Sequence, residues 1–254
     1  MLWPGLPGGA CDWRREALRT LEPEIYLLDV EGTIAPVSLV SEVLFPFART
    51  HLEGFLGQEA ASAAVAADLA LLAEENAAVI EADAPRMAGG GLTEASAYLN
   101  WLMARDRKST ALKSLQGKIW KSGFESGELK GTLFEDVPEA LERWAARGRV
   151  AIYSSGSAEA QRLLFRYSNF GDLTERIAGY FDTRVGPKTA QASYAAIAGA
   201  LGVETGAMLF LSDVVRELDP ARAAGCGTRL VIRAGNAPVE DDHGHERVGT
   251  LRGV

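Results

Sequence analysis

Four short apolar runs punctuate the chain. Ile25-Tyr26-Leu27-Leu28 leads into Asp29 and Glu31, Val150-Ala151-Ile152-Tyr153 into Ser154, and Met208-Leu209-Phe210-Leu211 into Ser212-Asp213. Arg229-Leu230-Val231-Ile232 is the fourth, and Ala178 to Phe181 is a further candidate. Continuous apolar runs of this length read as strands of a parallel sheet covered on both faces. Helical periods lie between them. Pro138 to Arg147 groups Ala140, Leu141, Trp144 and Ala145 on one face and stops at Gly148. Ser157 to Tyr167 groups Ala160, Leu163, Leu164 and Tyr167, and Lys188 to Leu201 is alanine-rich with Gly202 beyond its end. Strand alternating with helix predicts an α/β fold with a doubly wound parallel sheet. Ligands of such sheets bind beyond the carboxyl ends of the strands, where Asp29, Glu31, Ser154, Ser155 and Asp213 are expected to gather.

Residues 37–129 break this alternation. They carry helix signals and almost no strand signal: Gln58 to Ala84 is alanine-rich, Thr93 to Asp106 reads as a helix capped by Thr93, and Ser109 to Lys121 as another. Gly89-Gly90-Gly91 marks a turn between helices. The expected organisation is an α/β core built from residues 1–36 and 130–254, with an inserted helical cap over 37–129. Residues 1–22, with Pro4, Pro7, Gly8 and Gly9, read as a loose arm, and the polar stretch after Gly235 as loop or tail.

Composition narrows the function classes. Hydrophobic residues make up 47% of the 254 and charged residues 24%, as in ordinary globular proteins. A net charge of −8 argues against a general nucleic-acid binder. It leaves room for an anionic substrate, because a few local cations and a metal override the mean field. Cys11 and Cys226 make no Cys-x-x-Cys pair, and two reduced thiols in an intracellular protein is the favoured reading. No signal-peptide pattern opens the chain and no run approaches a membrane span, so the expectation is a cytoplasmic protein without a membrane partner. It is expected to be a monomer.

Four positions carry candidate chemistry. Asp29-Val30-Glu31-Gly32-Thr33 places an aspartate rigidly at a strand end, and a divalent cation would let it attack phosphorus. An ordinary solvated loop is the competing reading. Ser154-Ser155-Gly156-Ser157 joins a strand to a helix and offers hydroxyls and free amides to a phosphate, although a plain N-cap looks the same. Lys188 opens a helix, where a cation is mildly unfavourable, which points to an anionic partner. Asp213 with Asp29 would supply hard oxygen ligands to magnesium. Glu217 and Asp219 read as solvated helix residues, with Glu217 also a candidate supporting residue. His243-Gly244-His245 could chelate a metal, but in a polar tail near the C-terminus it reads as incidental. Trp101, Trp120 and Trp144 read as core, and Phe45-Pro46-Phe47 either as hinge packing or as the lining of a site mouth.

Taken singly these signals are weak; their order is specific. Asp, Ser, Lys and Asp at successive strand or helix ends, with an insertion after the first, resemble the four motifs of the haloacid-dehalogenase superfamily and its helical cap. LLDVEGTIAPVSLVSEVLFPFAR, LNWLMARDRKSTALKSLQGKIWKSGFESGELKG, IYSSGS and FLSDVVRELDPARAAG are similar to enolase-phosphatases, the acireductone synthases of methionine salvage. The resemblance runs from Glu24 to Arg233. The chain departs from the family's frequent Thr-Thr-Pro in having Thr33-Ile34-Ala35-Pro36.

The resemblance implies a magnesium-dependent phosphoric monoester hydrolase converting 2,3-diketo-5-methylthiopentyl-1-phosphate to acireductone and phosphate. It implies Mg2+ held by Asp29, Asp213 and Glu31, the last through its main-chain carbonyl. Ser154, Ser155 and Lys188 would hold the substrate, Asp29 would be the nucleophile, Lys188 would neutralise charge, and Glu31 is a candidate proton shuttle. The rival readings are a phosphatase of another small phosphate ester and a catalytically silent binding module on this fold. A dehalogenase would leave Asp213 without a purpose.

Overall fold

The computed structural model describes residues 22–105 and 107–254, so all of the expected N-terminal arm but Glu22 lies outside it. Six strands form one sheet: β1 Ile25–Leu28, β2 Arg149–Tyr153, β3 Ile177–Phe181, β4 Met208–Ser212, β5 Gly227–Val231 and β6 Glu246–Val248. Their order is β3-β2-β1-β4-β5-β6, and every pairing is parallel. The chain winds outward from β1 through β2 to β3, then returns to β4 on the other side of β1. The strand order therefore reverses between β1 and β4, the position at which a doubly wound sheet opens a crevice.

Alternation of side chains along each strand builds two cores. On one face Tyr26, Leu28, Val150, Ile152, Leu209 and Leu211 meet α5 (Val137–Ala145) and α6 (Ala158–Arg166), with Tyr26 stacked on Trp144 at 4.8 Å between ring centroids. On the other, Ile25, Leu27, Ala151, Tyr153, Met208 and Phe210 meet Tyr194 and Ile197 of α7 (Gln191–Leu201) and Leu218 and Ala221 of α8 (Val215–Ala223). Burying each large side chain contributes about 1.5–3 kcal/mol, which is why these strands are apolar throughout.

Between β1 and α5 lie four helices with a core of their own: α1 Phe45–Glu59, preceded by a wide π turn over Leu39–Leu44, α2 Ala63–Ala77, α3 Leu92–Ala104 and α4 Thr110–Ser126. Leu52, Leu56, Leu72, Leu99, Leu115 and Ile119 fill that core. A small cluster of Phe124, Leu129 and Leu163 joins it to the sheet layers. No single described helix is long and apolar enough to cross a membrane.

Several expectations are corrected. The alanine-rich stretch Gln58 to Ala84 is helical over Ala63–Ala77 but not throughout: the chain breaks after α1, and Ser62 turns extended and accepts from the Val65 amide to start α2. Gly91, not Thr93, caps α3, and Glu94 reaches back to the Gly89 amide at 2.9 Å. Lys188 does not open a helix. It stands in a turn whose Pro187 carbonyl receives the Ala190 amide, and α7 begins only at Gln191. The stretch after Gly235 is not a tail. It supplies β6 and a last 3-10 turn, Leu251–Gly253, and Arg143 and Trp144 donate to the Val254 carbonyl. His243 and His245 have a structural part there: both pair with Asp219, and the fully buried His245 side chain also bonds Thr228.

Candidate active site

Asp29 emerges from β1 and is 5% exposed. Its amide donates to the Leu211 carbonyl at 2.9 Å, which locks the exit of β1 to that of β4. Paired strands run about 4.8 Å apart, so Asp213, just past β4, comes out beside Asp29. Gly32 makes this closeness possible. Its φ of +75° is left-handed, and a Cβ there would overlap the Asp213 carboxylate. Thr33 is fully buried, and its hydroxyl has no hydrogen-bond partner.

Lys188 reaches the same point from the turn before α7. Its ammonium is nine-tenths buried, pairs with Asp29, and donates to Glu217 at 2.7 Å. Burial works against the charge, but the carboxylates of Asp29 and Glu217 outweigh it and raise the pKa. The Lys188 carbonyl accepts from the Tyr194 hydroxyl at 2.7 Å, which pins the turn. Glu217, in the first turn of α8, also accepts from Ser212 at 3.1 Å. Sequence reasoning leaned toward a solvated role for it. The available signal was its spacing, one helical turn after Asp213.

Charge at this edge is unbalanced. Burial first, and then the charge of Asp29, raise the pKa of Glu31 and Glu217 and push Asp213 up to about 7. One lysine faces Asp29, Glu31, Asp213 and Glu217, and Asp213 Oδ1 is buried without a partner. Hard oxygens with an excess of negative charge and an orphaned carboxylate atom fit a divalent cation. Among the described residues no three His, Cys, Asp or Glu side chains form a metal cluster. A cation here would be held by Asp29 and Asp213 together with main-chain oxygen.

Ser154 and Ser155 follow β2 and behave differently. Ser154 is buried, and its hydroxyl accepts from the Gly156 amide at 3.1 Å. Ser155 is exposed, and its carbonyl accepts from Lys113 of α4 at 2.9 Å. Ser157 caps α6 through the Ala160 amide. Asp182, held below the usual carboxylate range by Arg184 and two amides against its burial, occupies the Ala158 amide. A phosphate at this corner is therefore left the Ser154–Gly156 loop itself. The structure brings Asp29, Glu31, Lys188 and Asp213 together, with Ser154 and Ser155 at the neighbouring strand end of the same edge.

Residues 23–225 match the haloacid dehalogenase-like hydrolase family. Over 215 residues, covering 84% of this chain and 90% of the relative, the chain is 53% identical to Enolase-phosphatase E1 of Synechococcus elongatus. It is 47% identical to Enolase-phosphatase E1 of Pseudomonas aeruginosa, covering 83% and 90%. The crystal structure of the UTR4 protein of Saccharomyces cerevisiae superposes with a TM-score of 0.76 at 34% identity, covering 92% of this chain and all of that one. The chain belongs to the haloacid dehalogenase-like hydrolases and, within them, to the enolase-phosphatase family.

Proposed function

We propose that the chain is an enolase-phosphatase that converts 2,3-diketo-5-methylthiopentyl-1-phosphate to acireductone and phosphate, a step of methionine salvage. The observation that carries the reading is the buried Asp29–Lys188–Glu217 cluster beside a carboxylate, Asp213, with an unpaired oxygen. Residues 37–129 act as a cap over a core of 1–36 and 130–254. The chain acts as a monomer, and its partner is the small phosphate ester.

Asp29, Asp213 and the Glu31 carbonyl would hold magnesium, whose positive charge would offset the repulsion between a carboxylate and a phosphate dianion. Ser154, Ser155 and Lys188 hold the phosphate. In the first step a base takes the proton from the carbon bearing the ester, and the neighbouring carbonyl oxygen gains one, giving an enediol phosphate. Glu31, whose pKa is raised by burial, is the candidate shuttle. In the second step the Asp29 carboxylate attacks phosphorus and the bond from phosphorus to the enol oxygen breaks. That oxygen takes a proton, and water then releases phosphate from the aspartyl ester. Lys188 stabilises the charge that builds on the transferring group.

The test is incubation with the diketo ester, with and without magnesium. Ultraviolet absorbance follows the enediol and a phosphate assay follows the second step. Chelation is expected to abolish phosphate release and added magnesium to restore it. Full turnover in chelator, or hydrolysis without an enediol, would overturn the reading.

A further inference from the structure

The face of α4 that looks at the sheet layers is defined at both ends. Lys113 Nζ donates to the Ser155 carbonyl at 2.9 Å, and Phe124 stacks on Tyr167 with ring centroids 5.9 Å apart and packs on Leu163. Lys113, Gly117, Trp120 and Phe124 follow one another at steps of four, three and four residues and so share that face. Its middle is not filled. A Cβ on Gly117 would meet nothing within 4 Å, and Trp120 is only partly buried, stacked on Phe45 at 6.3 Å.

Gln116 borders the same gap. It is buried, only 8% exposed, yet its amide has no hydrogen-bond partner among the described residues. A buried amide left unpaired is costly in free energy, and such groups are nearly always satisfied in folded proteins. A nearly buried amide without a partner, one residue from the open space at Gly117, is a group waiting for a partner that carries both a hydrogen-bond acceptor and a donor.

We infer that this face of α4 reads the non-phosphate end of the substrate. Gln116 hydrogen-bonds the adjacent oxygens of the diketone and its enediol, Lys113 adds a cation beside them, and the Gly117 gap leads the chain toward the Trp120–Phe45 stack, which covers the apolar thioether end. The chemistry suits both stages. A primary amide donates to a carbonyl oxygen and accepts from an enediol hydroxyl, so one side chain serves before and after enolisation. The inference rests on the function proposed above, because it assumes that the phosphate sits at the Ser154–Gly156 loop.

Gln116→Met keeps the shape of the side chain and removes its hydrogen bonds, and Gly117→Leu fills the gap while raising helix propensity. The readouts are thermal midpoint and kcat/KM for the diketo ester and for acetyl phosphate, which has no chain to read. Both variants are expected to keep or raise the thermal midpoint. Both should lower kcat/KM for the diketo ester at least about tenfold more than for acetyl phosphate, the scale on which a polar site discriminates. Lys113→Arg should stay closer to the parent protein than Lys113→Gln in the same ratio. A lower midpoint with both substrates falling together would make Gln116 an ordinary structural residue and overturn the inference, as would an unchanged ratio. Gly117→Leu carries the same test should Gln116→Met fail to fold. If the unsubstituted protein turns over acetyl phosphate but not the diketo ester, the enolase-phosphatase reading itself has failed.

Discussion

At the residue scale, the chemistry depends on how few cations face how many acids. Asp29→Asn keeps the volume and removes the proposed nucleophile. With magnesium in excess, phosphate release should be lost while enediol formation survives in part, because enolisation forms no bond to the enzyme. Near-normal ester hydrolysis by that variant would dismiss Asp29 as the phosphoryl acceptor. Asp213 links the site to pH. Its folded pKa of about 7 lies above the ordinary carboxylate value. Between the two values the folded chain binds more protons than the unfolded one, so this group makes stability fall as pH rises through that window. Asp136 and Asp182 have lowered pKa values and act the other way, losing their contribution only in acid. The gain in thermal midpoint on adding magnesium should therefore grow as pH rises toward about 7 and level off above it, since a cation competes with that proton. Asp213→Asn should flatten the profile. A magnesium effect independent of pH in the unsubstituted protein would contradict this account.

At the element scale, the loop after Asp29 is held by segments far along the chain. Three successive carbonyls are gripped in turn: Gly32 by Asn236 Nδ2 at 2.9 Å, Thr33 by Arg233 Nε at 3.1 Å, and Ile34 by the Phe134 amide at 3.0 Å. Arg233 also forms a two-pronged pair with Asp136 at 2.8 and 2.9 Å, and Asp136 accepts from Thr250 and the Leu251 amide. Both partners are nearly buried. Arg233→Met should cost about 3–5 kcal/mol in urea unfolding, because it leaves a buried carboxylate without its counter-ion. It should also lower kcat more than it changes KM, as the loop loses its fixed position. A loss below about 1 kcal/mol would place the pair among ordinary surface bridges. None of this was legible in the sequence. β1, β2 and β4 stand out because burial on both faces makes them apolar throughout. β6 carries one apolar residue in three, Val248, and pairs through its backbone, so periodicity is silent about it. Lys188 was legible as a cation in need of an anion, but its turn was not, because what holds it is the tertiary contact from Tyr194. Glu217 looked solvated because a lone acid in the first turn of a helix is what the helix dipole favours anyway.

At the scale of the molecule, the question is whether α1–α4 move against the sheet layers. The connection after α4 holds an answer in three residues. Leu129 belongs to the helices, since its amide donates to the Gly123 carbonyl at 2.9 Å and its side chain is buried against Phe124. Gly131 belongs to the sheet layers, since its amide donates to the Tyr167 carbonyl at 2.8 Å and its own carbonyl accepts from Asn169 at 2.7 Å. Exposed Lys130 stands between two anchored neighbours, and rotation there can swing one unit against the other. The sequence puts the boundary between 129 and 130, and the hydrogen bonds on either side leave Lys130 as the residue between the two anchors. At the other connection Ala35 is tied to the Val30 carbonyl while Val37 and Ser38 are exposed. Phe124 and Leu129 pack on Leu163 between the two, and Lys113 reaches the Ser155 carbonyl in the loop proposed to hold the phosphate. A ligand in that loop, bridging both units, would favour the closed arrangement. Trypsin cuts after lysine only when the backbone can enter its site, so cleavage at Lys130 requires the Gly131 anchor to open and reports the open population when reclosing is fast. Cleavage after Lys130 should slow several-fold when magnesium and vanadate, a phosphate mimic, are added together. Cleavage elsewhere in the sheet layers should follow global stability alone. If calorimetry shows both bound and the rate of cutting after Lys130 stays the same, the units do not close on the ligand, and water must be kept from the enediol by the cleft as it stands.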